Sequence, residues 1–410
     1  MASDHPNAQH QPAKVSPMPI HHELKTMHPE LTAWRRDLHA HPQTAFEETY
    51  ASDFIAARLE AAGVTIHRGL AKTGVVGTVE GKKSASGSLQ AIGLRADIDA
   101  LDIQEKNNFA YKSQFTGKMH ACGHDGHTTM LLGAACHLAK TKNFAGKVHF
   151  IFQPAEENEG GGRVMVEEGL FDKFPVDAVF GMHNWPGMAV GTFAVAAGPM
   201  MAAFDVFEVI VTGKGTHAAM PHLGIDPIAI TSQIVTNLQS IASRQTNPLD
   251  QIVVSITQFH AGDTWNVIPN SAMLRGTVRT FRAQVQDMAE NSIRRIVEHV
   301  AQAHGAEATL RYERRYPATI NTPTESEWSA QAAGLVVGEA AIVRDPQPCM
   351  GSEDFAFMLQ KKPGCYVWVG NGPSDHNRVL HNPEYDFNDE IIPIGASYWV
   401  SLVESLLPGR

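Results

Sequence analysis

The chain alternates short, almost wholly apolar runs with longer segments in which apolar residues recur every three or four positions. Val75-Val76-Gly77-Thr78-Val79, Gln90-Ala91-Ile92-Gly93-Leu94, Val148-His149-Phe150-Ile151-Phe152 and Ala178-Val179-Phe180-Gly181-Met182 are too short for helices. They are also too evenly apolar to have a solvated face, so they read as strands in the middle of a sheet covered by helices. A turn, 81–87, separates the first two, and Cys365-Tyr366-Val367-Trp368-Val369 is a late strand of the same kind. Helical spacing begins near His22, runs through Leu31, Trp34, Arg35 and Leu38, and stops at Pro42. A second helix starts near Phe46, carries Phe54, Ile55, Leu59 and Ala62, and closes at Gly63. A third spans 126–139, with Asp125 as its N-cap.

The period changes near residue 198. Residues 204–211 alternate as a half-buried strand, followed by a helix over 226–243, strands over 252–258 and 272–281, a helix over 285–303 and a strand over 309–316. This order, β-α-β-β-α-β, predicts a ferredoxin-like unit inserted into an α/β domain. The expected organisation is a flexible segment 1–20, one domain made of 21–197 and 318–410, and an inserted domain 198–317. A chain of 410 residues suits two or three domains.

Composition narrows the function. A hydrophobic fraction of 43% against 19% charged residues is that of a globular protein. The net charge is −10 and no basic block is present, which argues against nucleic acid as a partner. Four cysteines without a C-x-x-C pair predict reduced thiols, and the polar N-terminus lacks the apolar run of a signal peptide, so a cytoplasmic location is expected. No apolar run approaches the roughly eighteen residues of a membrane span.

The predicted strands end in polar residues: Arg95 and Asp97, then Glu156 and Glu157, then His183, with His381 beyond the late strand. Open α/β sheets carry their sites beyond the carboxyl ends of strands. Between these lies Met119-His120-Ala121-Cys122-Gly123-His124-Asp125-Gly126-His127, which holds a thiol, three imidazoles and a carboxylate. Soft and borderline donors at this density suggest a transition metal, with Gly123 letting Cys122 and His124 aim at one point. A C-x-H alone would be only a helix start; the Glu-Glu pair and two further histidines tilt the balance. His137 and His149 fall inside elements and read as packing residues, and His120 and His127 as support behind the ligands. Adjacent Glu156 and Glu157 are expected to point to opposite sides of a strand end, one as ligand and one as general base.

Several pieces together resemble the bimetallic aminoacylase/carboxypeptidase amidohydrolases, in the branch that contains hippurate hydrolase and the plant indoleacetyl-amino-acid hydrolases. They are Gly93-Leu94-Arg95-Ala96-Asp97-Ile98-Asp99-Ala100-Leu101, the Met119–Asp125 stretch, Gln153-Pro154-Ala155-Glu156-Glu157, Gly181-Met182-His183, Gly215-Thr216-His217-Ala218-Ala219-Met220-Pro221-His222, Asn266-Val267-Ile268-Pro269-Asn270, Gly351-Ser352-Glu353-Asp354-Phe355 and Leu380-His381. The resemblance implies a zinc-aminopeptidase-like catalytic domain, its mixed central sheet flanked by helices, plus a ferredoxin-like α+β domain that serves as lid and dimerises, giving a dimer or a dimer of dimers. It implies two divalent metal ions on Cys122, His124, Glu157, His183 and His381, with Glu156 as base and Asp97 orienting a ligand histidine. Zinc suits the thiolate, while carboxylate and imidazole also admit manganese, cobalt or nickel. More distant relatives carry a metal histidine where this chain has Arg95, so Arg95 is not a ligand. His217 would donate to the oxyanion, in the partner's site, and Asn266 and Arg279 would hold a substrate carboxylate. Pro42-Gln43 departs from the usual Pro-Glu.

The implied activity is hydrolysis of the amide bond of N-acyl-L-amino acids. A carboxypeptidase or dipeptidase on the same dimetal site is the alternative, and a catalytically silent metal-binding protein is disfavoured by the intact Glu156. Met182, Met200, Met201, Phe204 and Phe355 are candidates for an acyl pocket.

Overall fold

In the computed structural model, which describes residues 21–84, 87–157, 159–373 and 379–409, the apolar runs form the middle of an eight-stranded mixed sheet. Its strand order is Thr65–Leu70, Gly74–Glu80, Lys147–Gln153, Ala91–Asp97, Ala178–Pro186, Gly364–Gly372, Phe193–Ala194 and Ile342–Val343. Four neighbouring strands, from Lys147–Gln153 to Gly364–Gly372, are parallel, and the antiparallel pairs flank them. Strand alternation sends Phe150 and Phe152 into one apolar layer and Ile151 into the opposite one. Helices His28–Ala40, His124–Thr141 and Ile392–Leu406 cover the first layer. Each large side chain buried there stabilises the fold by about 1.5–3 kcal/mol. The segment 1–20 lies outside the described residues. Among the described residues, no helix is long and apolar enough to cross a membrane.

The second period of the sequence builds a separate four-stranded antiparallel sheet, in the order Ile252–Ala261, Ser271–Thr280, Ala203–Thr212 and Glu307–Tyr316. Helices Pro227–Ser240 and Ala283–Ala303 pack on one face around Phe207, Val209, Val211, Ile234 and Leu274. Asp226 caps the first of these helices, accepting from the N–H groups of Ile228 and Ala229, and the helix ends in a π-turn, Ile241–Gln245. The two crossing segments pair with each other as the ribbon Gly198–Met201 with Thr319–Asn321.

Several boundaries differ from the sequence expectation. The first helix is two, His22–Thr26 and His28–Ala40. Phe46 has φ +65°, which no helix accommodates, so the next helix begins at Thr49. The strand expected to end at Met182 continues to Pro186 and contains His183. Asp125 is not the N-cap of the helix it was expected to start: Gly123 is, and Asp125 lies one residue into the helix.

The displaced Asp125 explains how that helix is held. Its carboxylate accepts from His39 Nδ1 at 2.8 Å and lies 3.7 Å from the buried Arg35. His39 Nε2 faces Glu105 at 3.2 Å, so both ring nitrogens meet carboxylates. Burial disfavours charge on His39, yet its hydrogen bonds to Asp125 and Glu105 outweigh it and push the imidazole up to about 9. A group raised in the folded state contributes stability that is complete below its ordinary value near 6.5 and lost as the pH climbs through the folded value. His39→Gln should therefore lower stability at pH 6 by on the order of 1–3 kcal/mol, and the gap to the parent should narrow towards about pH 9.5. Thermal midpoints of both proteins across that range provide the check, and a gap that widened with pH would contradict it.

Candidate metal centre

The five expected ligands come from four stretches, Cys122 and His124 sharing one, and gather near the carboxyl ends of the central strands. Gly123, with φ +93°, turns the chain between Cys122 and His124, and a Cβ there would fall 2.2 Å from the Asn184 side chain. Glu157 follows strand Lys147–Gln153, and His183 lies within Ala178–Pro186. His381 adopts φ +62° and donates its N–H to the Ala121 carbonyl at 2.8 Å, which ties the late segment to the Cys122 stretch. Cys122 Sγ is 3.4 Å from His183 Nε2, and His381 Nε2 is 3.1 Å from Glu157 Oε1. The donor atoms of Cys122, His124 and His183 lie within 4.8 Å of one another, as do those of Cys122, Glu157 and His381.

Neighbouring acceptors fix the tautomers. His183 Nδ1 donates to the Asn184 carbonyl at 2.6 Å and His124 Nδ1 to Asp99 at 3.0 Å, leaving both Nε2 atoms as donors of electron pairs. His124 Nε2 is buried without a hydrogen-bond partner. The carboxylate that orients His124 is therefore Asp99. Asp97 instead accepts from His127 Nδ1 at 2.7 Å and lies 3.8 Å from His124 Nε2, so its expected hold on a ligand histidine is not a direct hydrogen bond. The other nitrogen of His127 accepts from the Asn184 N–H at 2.9 Å.

Glu156 and Glu157 correct the argument from strand alternation. They occupy a turn after the strand, Ala155 having φ +53°, and both carboxylates line one cavity of about 470 Å³. Each also comes within 4.8 Å of His124. Burial raises the Glu156 carboxyl well above the usual carboxylate range, and the charges of Glu353 and Glu157 raise it further. Burial likewise raises the Cys122 thiol, with Glu157 and Glu156 adding to it. Burial works against charge on His124, but Asp97 and Asp99 push its imidazole up to about 10. Crowded acidic donors that gather protons, together with an orphaned imidazole nitrogen, fit divalent cations.

Arg279 lines the same cavity, although it comes from the four-stranded sheet. Its guanidinium lies over the Phe204 ring at 3.9 Å and donates to Thr277 Oγ1 at 2.9 Å. Among the described residues, no carboxylate lies within ion-pair distance of it. Trp185, Met201 and Phe204 form apolar walls, whereas Met182, Met200 and Phe355 are buried in the core. His217 and Asn266 do not line this cavity within the chain. They adjoin each other on an exposed ribbon, where His217 pairs with Val267 and the Ala218 N–H donates to the Asn266 carbonyl at 2.9 Å.

Sequence reasoning missed Asp99, Asn184 and Tyr316. Asp99 had a signal, because it stands two residues beyond Asp97. Asn184 and Tyr316 had none: Asn184, on a strand, donates to His127 on the helix packed against it, and the Tyr316 hydroxyl donates to the Glu156 carbonyl at 2.5 Å.

Residues 93–405 match peptidase family M20/M25/M40. The chain is 39% identical to an N-acetylcysteine deacetylase of Bacillus subtilis (strain 168), over 93% of this chain and 98% of the relative. It is 38% identical to a hippurate hydrolase of Campylobacter jejuni, over 93% and 97% of the two chains. A solved Bacillus subtilis structure, described as a dinuclear metal-binding peptidase from the M20 family, superposes with a TM-score of 0.80 at 36% identity, covering 94% of this chain and all of the other. With the donors gathered at the strand ends and this similarity running through nearly the whole sequence, the chain belongs to peptidase family M20/M25/M40.

Proposed function

We propose that the protein hydrolyses the amide bond of N-acyl-L-amino acids, releasing a carboxylic acid and a free amino acid. The observation that carries this reading is one cavity holding the metal donors, the buried Glu156 and an Arg279 with no carboxylate partner among the described residues. Two divalent cations would be held by Cys122, His124, Glu157, His183 and His381, whose donor atoms gather in overlapping groups. Zinc suits this set, and the carboxylate and imidazoles also admit manganese, cobalt or nickel. Bound there, such cations supply Lewis acidity, which polarises an amide carbonyl and makes water acidic near neutral pH.

The protein groups do the rest. Glu156 accepts a proton from the attacking water and returns it to the amide nitrogen as the C–N bond breaks. Its burial suits that task, because a carboxylate in an apolar, acidic setting binds a proton readily. Asp99 holds His124 in the binding tautomer, and Asp97 holds His127 behind it. Arg279 takes the substrate carboxylate through its guanidinium fork. Trp185, Met201 and Phe204 face the acyl group, and a cavity of about 470 Å³ suits a small molecule.

Residues 198–317 act as a lid and an association unit, making a homo-oligomer. His217 then donates to the oxyanion, and Asn266 assists with the carboxylate, in the site of a second copy. The exposure of Trp265, Val267, Met220 and Leu223 around that ribbon supports a surface covered by another chain. All four cysteines are free, which supports a reducing, cytoplasmic setting.

Glu156→Gln should abolish turnover of an N-acyl amino acid while leaving the metal content intact; near-normal kcat would remove Glu156 as base. Cys122→Ala should lower metal per subunit, read by elemental analysis after dialysis, and full retention would remove Cys122 from the ligand set. Arg279→Lys keeps the charge but loses the fork, so KM should rise by on the order of tenfold to a hundredfold with metal content unchanged. An unaltered KM would show that another group holds the carboxylate.

A further inference from the structure

The peptides on either side of Glu156 are each held by hydrogen bonds. Ala155 sits at φ +53°, a left-handed conformation that an alanine keeps only when its surroundings over-determine it. Its N–H donates to Glu48 at 3.0 Å, and its carbonyl accepts from the Gly161 N–H at 2.9 Å. The Glu157 N–H donates to Asp99 at 2.9 Å. These partners all belong to the body built on the eight-stranded sheet. The remaining pin does not. Tyr316, the last residue of strand Glu307–Tyr316 in the four-stranded sheet, donates its hydroxyl to the Glu156 carbonyl at 2.5 Å. The Tyr316 hydroxyl oxygen in turn accepts from the Gly160 N–H at 3.0 Å.

Tyr316 is held for this contact by its own sheet. It pairs across the strands with Phe204, which pairs in turn with Arg279. The Tyr316 ring stands edge-on to Phe204 at 5.9 Å and to Phe357 at 6.0 Å, and the residue is 4% exposed. The Glu156 carboxylate itself has weaker support, a 3.4 Å contact from the Asp354 N–H. Its aim therefore depends mainly on the peptide to which it is attached. A buried tyrosine often satisfies its hydroxyl with whatever acceptor is near. Here both partners flank one turn, and that turn bears the base.

We propose that Tyr316 is a positioning residue for Glu156: its hydroxyl locks the Glu156 peptide to the end of the four-stranded sheet and thereby sets the direction of the carboxylate. The proposal rests on the reading of Glu156 as the general base. Removing the hydroxyl leaves the Glu156 carbonyl and the Gly160 N–H without this partner and releases the turn. Misplacing a reacting group by a fraction of an ångström to 1 Å costs on the order of tenfold to a hundredfold in rate.

The test is Tyr316→Phe, which keeps the ring and its contacts with Phe204 and Phe357. Wild type, Tyr316→Phe and Glu156→Gln are compared for kcat and KM on an N-acyl amino acid, for metal per subunit and for thermal midpoint. The expected result is a kcat lower by on the order of tenfold to a hundredfold, with KM, metal content and midpoint close to wild type. A kcat within about twofold of wild type overturns the proposal, since a positioning loss must appear in turnover. So does a fall in kcat that comes with loss of metal or a large fall in midpoint, which makes Tyr316 a structural residue only. If Glu156→Gln turns over like wild type, the reading of the base fails and the proposal falls with it, a result distinct from failure of Tyr316→Phe alone.

Discussion

Buried negative charge is the constraint around which this protein is arranged. Asp97, Asp99, Glu156, Glu353 and Asp354 are each at most 6% exposed; the first three lie at or beyond strand ends, and Asp354 reaches Gln153, the last residue of another strand. An uncompensated buried carboxylate costs several kcal/mol. Arg95, fully buried, answers part of that charge, reaching Asp97 at 2.7 Å and both Glu353 and Asp354 at 3.0 Å. Its guanidinium thus meets three carboxylates from two separate stretches of the chain. The remainder lies near Cys122 and Glu157, where the crowded donors fit divalent cations. Metal affinity and the stability of this end of the sheet are thus two aspects of one electrostatic balance.

Backbone strain places the donors that the charge balance requires. Ala155 and His381 hold left-handed conformations worth about 1–3 kcal/mol each, one beside Glu156 and the other at a candidate ligand. Both persist because neighbouring peptides are hydrogen-bonded into fixed positions, Ala155 by Glu48 and Gly161 and His381 by Ala121. The four-stranded sheet enters the same site from the other side through Arg279 and Tyr316. The cavity is therefore lined from two sheets whose apolar cores are separate.

Much of the fold was legible because periodicity reports burial directly. The uniformly apolar run at 148–152 could only be a covered strand, and the alternation at 204–211 a half-covered one. Errors fell where one residue's backbone overrode the pattern: Phe46 in the left-handed region delayed a helix, and Gly123 took the cap expected of Asp125. The candidate ligand set was named through resemblance, since nothing local links His381 to Cys122; the structure brings their donor atoms together. The division of labour between Glu156 and Glu157 was argued from strand alternation. The structure has a turn there instead, with both carboxylates facing one cavity.

What the sequence determined by itself was the kind and order of its elements and the supply of donors. Those depend on interactions within a few residues and on side-chain chemistry. What only the tertiary structure decided was which group serves which. Asp99 holds His124 across 25 residues, Asp97 holds His127 across 30, and Tyr316 holds the Glu156 peptide across 160. A hydrogen bond needs its partners within about 3 Å and in line. That condition is set by how sheets and helices pack in three dimensions, which spacing along the chain does not encode.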